Sequence, residues 1–216
     1  MNYYDPNAHQ NYSAAAQNIL LQKTAQAFRE VHIHSLRVAD LAGILAEIAG
    51  WNVSAQKEIQ WAGFYHDLGK HYINPEILTK EEPLTPFEWE EIKTHPEKSL
   101  KNFLSPASKQ AQSIPGKFSR SISVCTALVQ HHERWDGGGY PKGLEKKQIH
   151  PLSSLVGLAD VIDALSGDRC YRARLEFDGL VESIFEGRNK QWAPGVTDLF
   201  LNNLELFKSV LSYQYT

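Results

Sequence analysis

Residues 61–70 read WAGFYHDLGK: apolar and aromatic positions lead into an adjacent histidine and aspartate, His66 and Asp67, followed by a glycine and Lys70. An imidazole nitrogen and a carboxylate side by side can hold one metal ion, or the carboxylate can bridge two. Such pairs also arise by chance. The weight of this one depends on what other ligand-type residues the chain supplies.

Working outward, Ser54 is placed to cap a helix that runs through Ile59, Trp61 and Phe64 to His66, with Gly69 near its end. Upstream, Val31, His34, Val38, Leu41, Leu45 and Ile48 recur at three- and four-residue steps, the apolar stripe of an amphipathic helix that Gly50 would end. His34 falls on the core-facing side, with Glu30 one turn before it and Arg37 just under one turn after. Taken alone, His34 fits a buried, satisfied histidine better than a ligand. Residues 13–28 carry a weaker helical pattern, and residues 1–12 read as a polar, flexible tail.

Downstream, Thr85-Pro86-Phe87-Glu88 is a capping box with proline at the first helical position, predicting a helix toward Thr94. His95 precedes Pro96, which marks a break and lets the histidine turn inward. Residues 105–118, SPASKQAQSIPGKF, have two prolines, a glycine and no helical period, and read as an inserted surface loop. Helix resumes near Ser119 and carries Ile122, Cys125, Val129 and His132, before the turn DGGGYP at 136–141. Pro151 opens a helix that carries Asp160 and Asp163, with Gly167 as its stop. Helical stretches at about 178–187 and 194–211 complete the chain, and no segment alternates like a strand. The expected fold class is all-α, with residues 13–216 forming one domain.

Composition agrees with that. A chain of 216 residues with 42% hydrophobic content can build one globular core. A formal net charge of −3 gives no basic footprint for DNA or long RNA. Cys125 and Cys170 stand far apart and form no CxxC pair, which excludes a zinc ribbon and fits a reducing compartment. The first residues lack the features of a signal peptide, and no apolar run is long enough to span a bilayer. A soluble, cytoplasmic protein is expected.

The ligand-type residues then collect. Glu30 and His34 share a helix face, His66 and Asp67 end a helix, His95 sits at a break, His131 and His132 end another helix, and Asp160 lies on an apolar face. Neighbouring helix residues point about 100° apart, so His131 and His132 are expected to serve different metals. Five histidines and three carboxylates, with no cysteine, make a nitrogen–oxygen site in which iron or manganese fits best and zinc is an alternative. Burying so many ionisable groups without a metal would be costly. Two or three such ions can activate a bridging water and clamp a phosphodiester for in-line displacement. Lys70, then Arg169 and Arg172 in DRCYR, are candidates to hold the anionic substrate. His9, His32 and His150 have no evident role.

These words and spacings resemble the HD-GYP domains, HD-superfamily phosphodiesterases that cleave the bacterial second messenger cyclic di-GMP. The resemblance covers HIHSLRV at 32–38, HDLGK at 66–70, PLTPFEWEEIKTHP at 83–96, HHERWDGGGYPKGL at 131–144 and ADVIDALSGDRCYR at 159–172. It implies an HD-domain helical bundle around a buried multinuclear site. The metal ligands it implies are His34, His66, Asp67, His95, His131, His132 and Asp160, with Glu30 matching the glutamate of trinuclear members. It implies substrate contacts from Lys70, Tyr140, Arg169 and Arg172, and leaves the role of Asp163 open. The chain departs from the family at Gly138, where many members have serine, at Cys170, where many have proline, and in the longer stretch between His95 and His131.

The expected activity is hydrolysis of cyclic di-GMP to linear pGpG, and onward to GMP as an extension, by attack of a metal-bridged hydroxide, with two or three iron or manganese ions as cofactors. Two alternatives stand beside it. One is the same chemistry on cyclic GMP-AMP; the other is a receptor or interaction module that binds cyclic di-GMP without turnover. Few residues precede Glu30, so no attached sensor is expected and regulation would come from elsewhere, including protein partners. Oligomeric state is not legible from the sequence.

Overall fold

The computed structural model describes residues 14–105, 121–167 and 174–214. The tail expected at 1–12 lies outside these residues, as does the loop expected at 105–118 apart from Ser105. Among the described residues there are no strands, only isolated bridges pairing Asp136 with Glu145 and Arg188 with Trp192. The fold is all-α.

The two N-terminal helical patterns form one helix, α1 (Ala14–Ile48), of 35 residues. No glycine or proline interrupts the junction near residue 30, so nothing there breaks the hydrogen-bond ladder. Helix α2 (Val53–Tyr65) starts one residue before the expected cap. Asn52, not Ser54, caps it by accepting the Ala55 N–H at 3.1 Å. The chain then tightens into a 3-10 turn at Leu68–Tyr72 and a four-residue helix, α3 (Pro75–Leu78), capped by Asn74.

The capping box at Thr85 forms as read, and it opens α4 (Pro86–Ile92). The break falls at Lys93-Thr94, and His95 starts α5 (His95–Phe103). Ser121 caps α6 (Ile122–Gln130). A 3-10 turn at Lys146–Gln148 leads to α7 (Pro151–Ser166), with proline at its start and Gly167 at its end. His150, assigned no role from sequence, caps α7 by accepting the Leu152 N–H at 3.2 Å. Helix α8 (Phe177–Gly187) follows, and the last predicted helix is two, α9 (Pro194–Leu201) and α10 (Leu204–Gln214), parted at Asn202-Asn203.

The core lies where α1, α2, α6 and α7 meet. Val38, Leu41 and Leu45 of α1, Ile59 and Ala62 of α2, Val124 and Leu128 of α6, and Leu155, Leu158 and Ile162 of α7 are essentially fully buried. This packing brings the end of α2, the start of α5, the end of α6 and the middles of α1 and α7 to one place. Those are the segments that carry the ligand-type residues.

Candidate metal centre

The first turn of α5 fits against the 3-10 turn through Gly69. A Cβ at Gly69 would lie 2.0 Å from the His95 carbonyl oxygen, so only glycine allows this approach. Ser99, one turn past His95, clips the same junction. Its hydroxyl donates to the His66 carbonyl at 2.7 Å and accepts the Gly69 N–H at 2.7 Å. His66, Asp67 and His95 are thereby fixed beside one another, each almost completely buried.

The described ligand-type atoms fall into two groups. His34, His66 and Asp160 form one; Asp67, His95, His131 and His132 form the other. Asp67 lies between them. Its Oδ1 is 3.2 Å from His95 Nε2, and its Oδ2 is 3.3 Å from His66 Nε2 and 3.6 Å from His34 Nε2. On the far side, Asp160 Oδ1 lies 3.1 Å from His34 Nε2 and 3.9 Å from His66 Nε2. One carboxylate facing both groups is the geometry of a bridge.

The proton positions of the rings follow from their partners. His66 Nδ1 donates to the Gly63 carbonyl at 2.6 Å, His95 Nδ1 to the Ile92 carbonyl at 2.8 Å, and His131 Nδ1 to the Leu128 carbonyl at 3.0 Å. Carbonyl oxygens only accept, so each Nδ1 carries a hydrogen and a neutral ring presents a lone pair at Nε2. His34 Nδ1 lies 2.6 Å from Asp163 Oδ2, and Arg37 holds that carboxylate at 2.5 and 3.2 Å. Ligand rings oriented by carbonyls or a carboxylate at the other nitrogen are the usual support of a metal site.

Two observations show that a cation fits here. His66 Nε2 and Asp67 Oδ1 are buried with no hydrogen-bond partner, a costly state for protein alone. His95 Nε2 and His131 Nε2 also face each other at 3.3 Å, lone pair toward lone pair in the neutral tautomers set by their carbonyls. The donor set suits a divalent first-row ion.

Electrostatics separates the rings. Burial, reinforced by neighbouring histidines, lowers His131 strongly and His132 to about 3, keeping both neutral. Burial opposes charge on His34 as well, but Asp160 and Asp163 outweigh it and raise its pKa. Burial would raise Asp67 and Asp160; His66 and Lys70 beside the first, and His34 beside the second, hold both well below the carboxylate range.

The site opens into a cavity of about 400 Å³ bordered by His132, Asp160, Tyr140, Trp89, Lys93 and Arg134. Tyr140 stacks on His132 with centroids 4.7 Å apart. The glycine-rich loop comes close to the end of α6: a Cβ at Gly139 would sit 2.5 Å from the His132 carbonyl. Glu133, not singled out from sequence, is buried and accepts the Lys142 and Leu144 N–H groups, each at 2.8 Å, which ties down the loop after Tyr140.

His131 and His132 were expected to serve different metals, and the structure places them in one group with ring centroids 4.1 Å apart. His131 is the C-cap of α6 and His132 lies beyond it, so helical spacing no longer sets their directions. Glu30 stands outside both groups, exposed, with Oε1 accepting from Gln26 Nε2 at 2.8 Å. Lys70 Nζ pairs with Asp67 Oδ2 at 2.5 Å, at the edge of the cluster. Arg169, Arg172 and Cys170 lie outside the described residues. Sequence reasoning left Asp163 open and passed over Ser99; the one-turn spacings Asp160–Asp163 and His95–Ser99 were the available signals.

A bundle that gathers histidines and aspartates from five helical segments defines a class. The HD domain model matches residues 14–192, and the chain belongs to the HD domain family. It is 35% identical to a cyclic di-GMP phosphodiesterase of Thermotoga maritima over 80% of this chain and 44% of that protein. It is 35% identical to 3'3'-cGAMP-specific phosphodiesterase 1 of Vibrio cholerae over 67% of this chain and 31% of that protein. The chain thus spans less than half the length of these relatives. Among solved structures, Bd1817, an HDG"Y"P protein from Bdellovibrio bacteriovorus, superposes with a TM-score of 0.60 at 20% identity, covering 81% of this chain and 52% of that one, a likeness of fold. Among the described residues, no helix is long and apolar enough to cross a membrane.

Proposed function

We propose that the protein is a metal-dependent phosphodiesterase that hydrolyses cyclic di-GMP to linear pGpG. The observation that carries this is the pair of ligand groups with Asp67 between them, opening into a cavity edged by Tyr140. His34, His66 and Asp160 would hold one divalent ion, and His95, His131 and His132 a second, with Asp67 common to both. Iron or manganese suits these nitrogen and oxygen donors. Such ions supply an activated water and neutralise the charge of a phosphodiester.

The chain's own groups do the rest. Lys70 is partly exposed beside Asp67 and can turn an N–H toward a phosphate oxygen as substrate enters. Tyr140, stacked on His132, gives the nucleotide an aromatic wall next to the reacting phosphate. Burial and the nearby Asp67 and Asp160 push its hydroxyl above the ordinary phenol range, so it stays protonated and can donate. Arg169 and Arg172 are proposed phosphate contacts by resemblance. Two ions match the groups the structure brings together; a third would need Glu30 turned inward.

Cyclic GMP-AMP is a second reading, favoured by the similarity to the Vibrio cholerae relative named for it. The test is anaerobic purification, iron and manganese counted per chain, and both cyclic dinucleotides offered side by side. Formation of pGpG, lost in His66→Ala and Asp67→Ala, supports the first reading; faster turnover of cyclic GMP-AMP supports the second. Fully metallated protein that leaves both intact refutes both.

A further inference from the structure

We propose that Trp89 and Lys93 form a second nucleotide subsite, where the Trp89 indole stacks on a nucleobase and the Lys93 ammonium holds the adjoining phosphate. This rests on the cyclic-dinucleotide reading above and extends it to residues with no part in the metal groups.

Helix α4 buries none of its side chains, so Trp89 is not spent on a core. Its side chain is 45% exposed, yet its ring stands edge-on to Tyr140 with centroids 6.0 Å apart. Tyr140 in turn stacks on His132. Aromatic rings therefore run from the metal groups outward to α4, along one side of the cavity. Isolated surface hydrophobics need no explanation. Phe87, on the same helix, is 80% exposed and does not border the cavity, whereas Trp89 does.

Lys93 follows Trp89 by four residues and borders the same cavity. Its ammonium pairs with the exposed Glu90 carboxylate at 2.7 Å, a surface pair held weakly enough for a phosphate to replace it. An accessible aromatic face beside an accessible cation is the combination that binds single nucleotides without demanding a particular base. A cyclic dinucleotide has two bases and two phosphodiesters. With one phosphodiester at the metal groups, the other half must be held away from them, and α4 stands there.

The helix is anchored well enough to serve. Lys80 Nζ donates to both Glu88 oxygens at 2.8 and 2.7 Å, and the Asn74 N–H donates to Glu91 Oε1 at 3.0 Å. Trp89 and Lys93 need no rearrangement of the bundle to meet a ligand.

The test uses the full chain loaded with Mn²⁺, comparing Trp89→Ala, Trp89→Phe and Lys93→Ala. Trp89→Ala should raise KM for cyclic di-GMP by about tenfold, the usual scale of one base–aromatic stack, with kcat, metal content and urea midpoint close to wild type. Trp89→Phe should restore most of the affinity, and Lys93→Ala should raise KM while flattening its salt dependence. The same pattern is expected with cyclic GMP-AMP, since stacking accepts either purine. An unchanged KM in Trp89→Ala, or a loss confined to kcat and metal content, overturns the subsite while leaving the phosphodiesterase reading intact. Wild-type protein that neither binds nor hydrolyses a cyclic dinucleotide removes both.

Discussion

His95 and His131 point their Nε2 atoms at each other across 3.3 Å while each ring commits Nδ1 to a backbone carbonyl. A neutral pair so arranged is repulsive, and a bound cation turns the repulsion into coordination. Chelation should therefore lower the melting temperature, and Mn²⁺ should restore it. At a free metal concentration a hundred times Kd the gain is about 2.7 kcal/mol, roughly 5–10 °C for a domain of this size. Thermal melts with and without EDTA check this; identical melts would argue against a metal.

The metal count discriminates between two ions and three. With Glu30 exposed and bonded to Gln26, Glu30→Gln is expected to keep a stoichiometry near two, whereas His131→Ala should drop it toward one. Elemental analysis of the two variants decides. A wild-type count near three that falls in Glu30→Gln would bring Glu30 into the site.

Acid should destabilise the metal-free protein well before its carboxylates titrate. Burial and neighbouring rings depress His131 and His132, the latter to about 3, while both return to about 6.5 on unfolding. The unfolded chain then binds more protons, and stability falls as pH drops below about 6.5, by up to about 1.4 kcal/mol per pH unit for each ring. His34 has the opposite sign: its raised pKa contributes stability that is complete below about 6.5 and lost only as pH rises through the folded value. Asp67 and Asp160, held low, lose their contribution only in much stronger acid. Urea midpoints of the metal-free protein at pH 7.5 and 5.5 should differ in favour of 7.5.

Asp163 should matter for metal affinity although it touches no ion in the proposed arrangement. Asp163→Asn keeps the shape but weakens the bond to His34 Nδ1 and the pairing with Arg37. The expected loss is about 10–100-fold in metal affinity, read by competition against a chromophoric chelator. Unaltered affinity would make Asp163 a purely structural partner of Arg37.

The junction of the 3-10 turn with α5 should be the least forgiving place in the fold. Ser99→Ala leaves the buried Gly69 N–H without its acceptor, a cost of about 1–3 kcal/mol. Gly69→Ala drives a Cβ into the His95 carbonyl and should cost more, with metal content falling alongside. Denaturation of the two variants ranks them; equal midpoints would show that the junction can part.

The periodic helices and the chemistry-bearing positions were legible in the sequence because apolar spacing and residue type are local properties. The stripe from Val38 to Leu45 lies in the core as its spacing requires, and the Thr85 capping box forms as written. What was not legible depends on contacts between distant segments. The sequence reading put the α2 cap at Ser54, and the helix is capped two residues earlier, at Asn52. The shared group of His131 and His132 follows from where α6 ends, and the buried support from Glu133 follows from a loop fold that one glutamate cannot announce.

The carbonyls that orient His66, His95 and His131 belong to Gly63, Ile92 and Leu128, each in the last turn of its helix, α2, α4 or α6. Three helices therefore end at the ligand cluster, each with the negative end of a peptide macrodipole, equivalent to roughly half an elementary charge, while one, α5, begins there with its positive end. With Asp67 and Asp160 ionised among them, the negative ends outweigh the positive one, and the protein groups by themselves favour a cation over a phosphodiester. Bound divalent ions would reverse that sign. For the phosphodiesterase proposed above, metal would therefore bind before nucleotide.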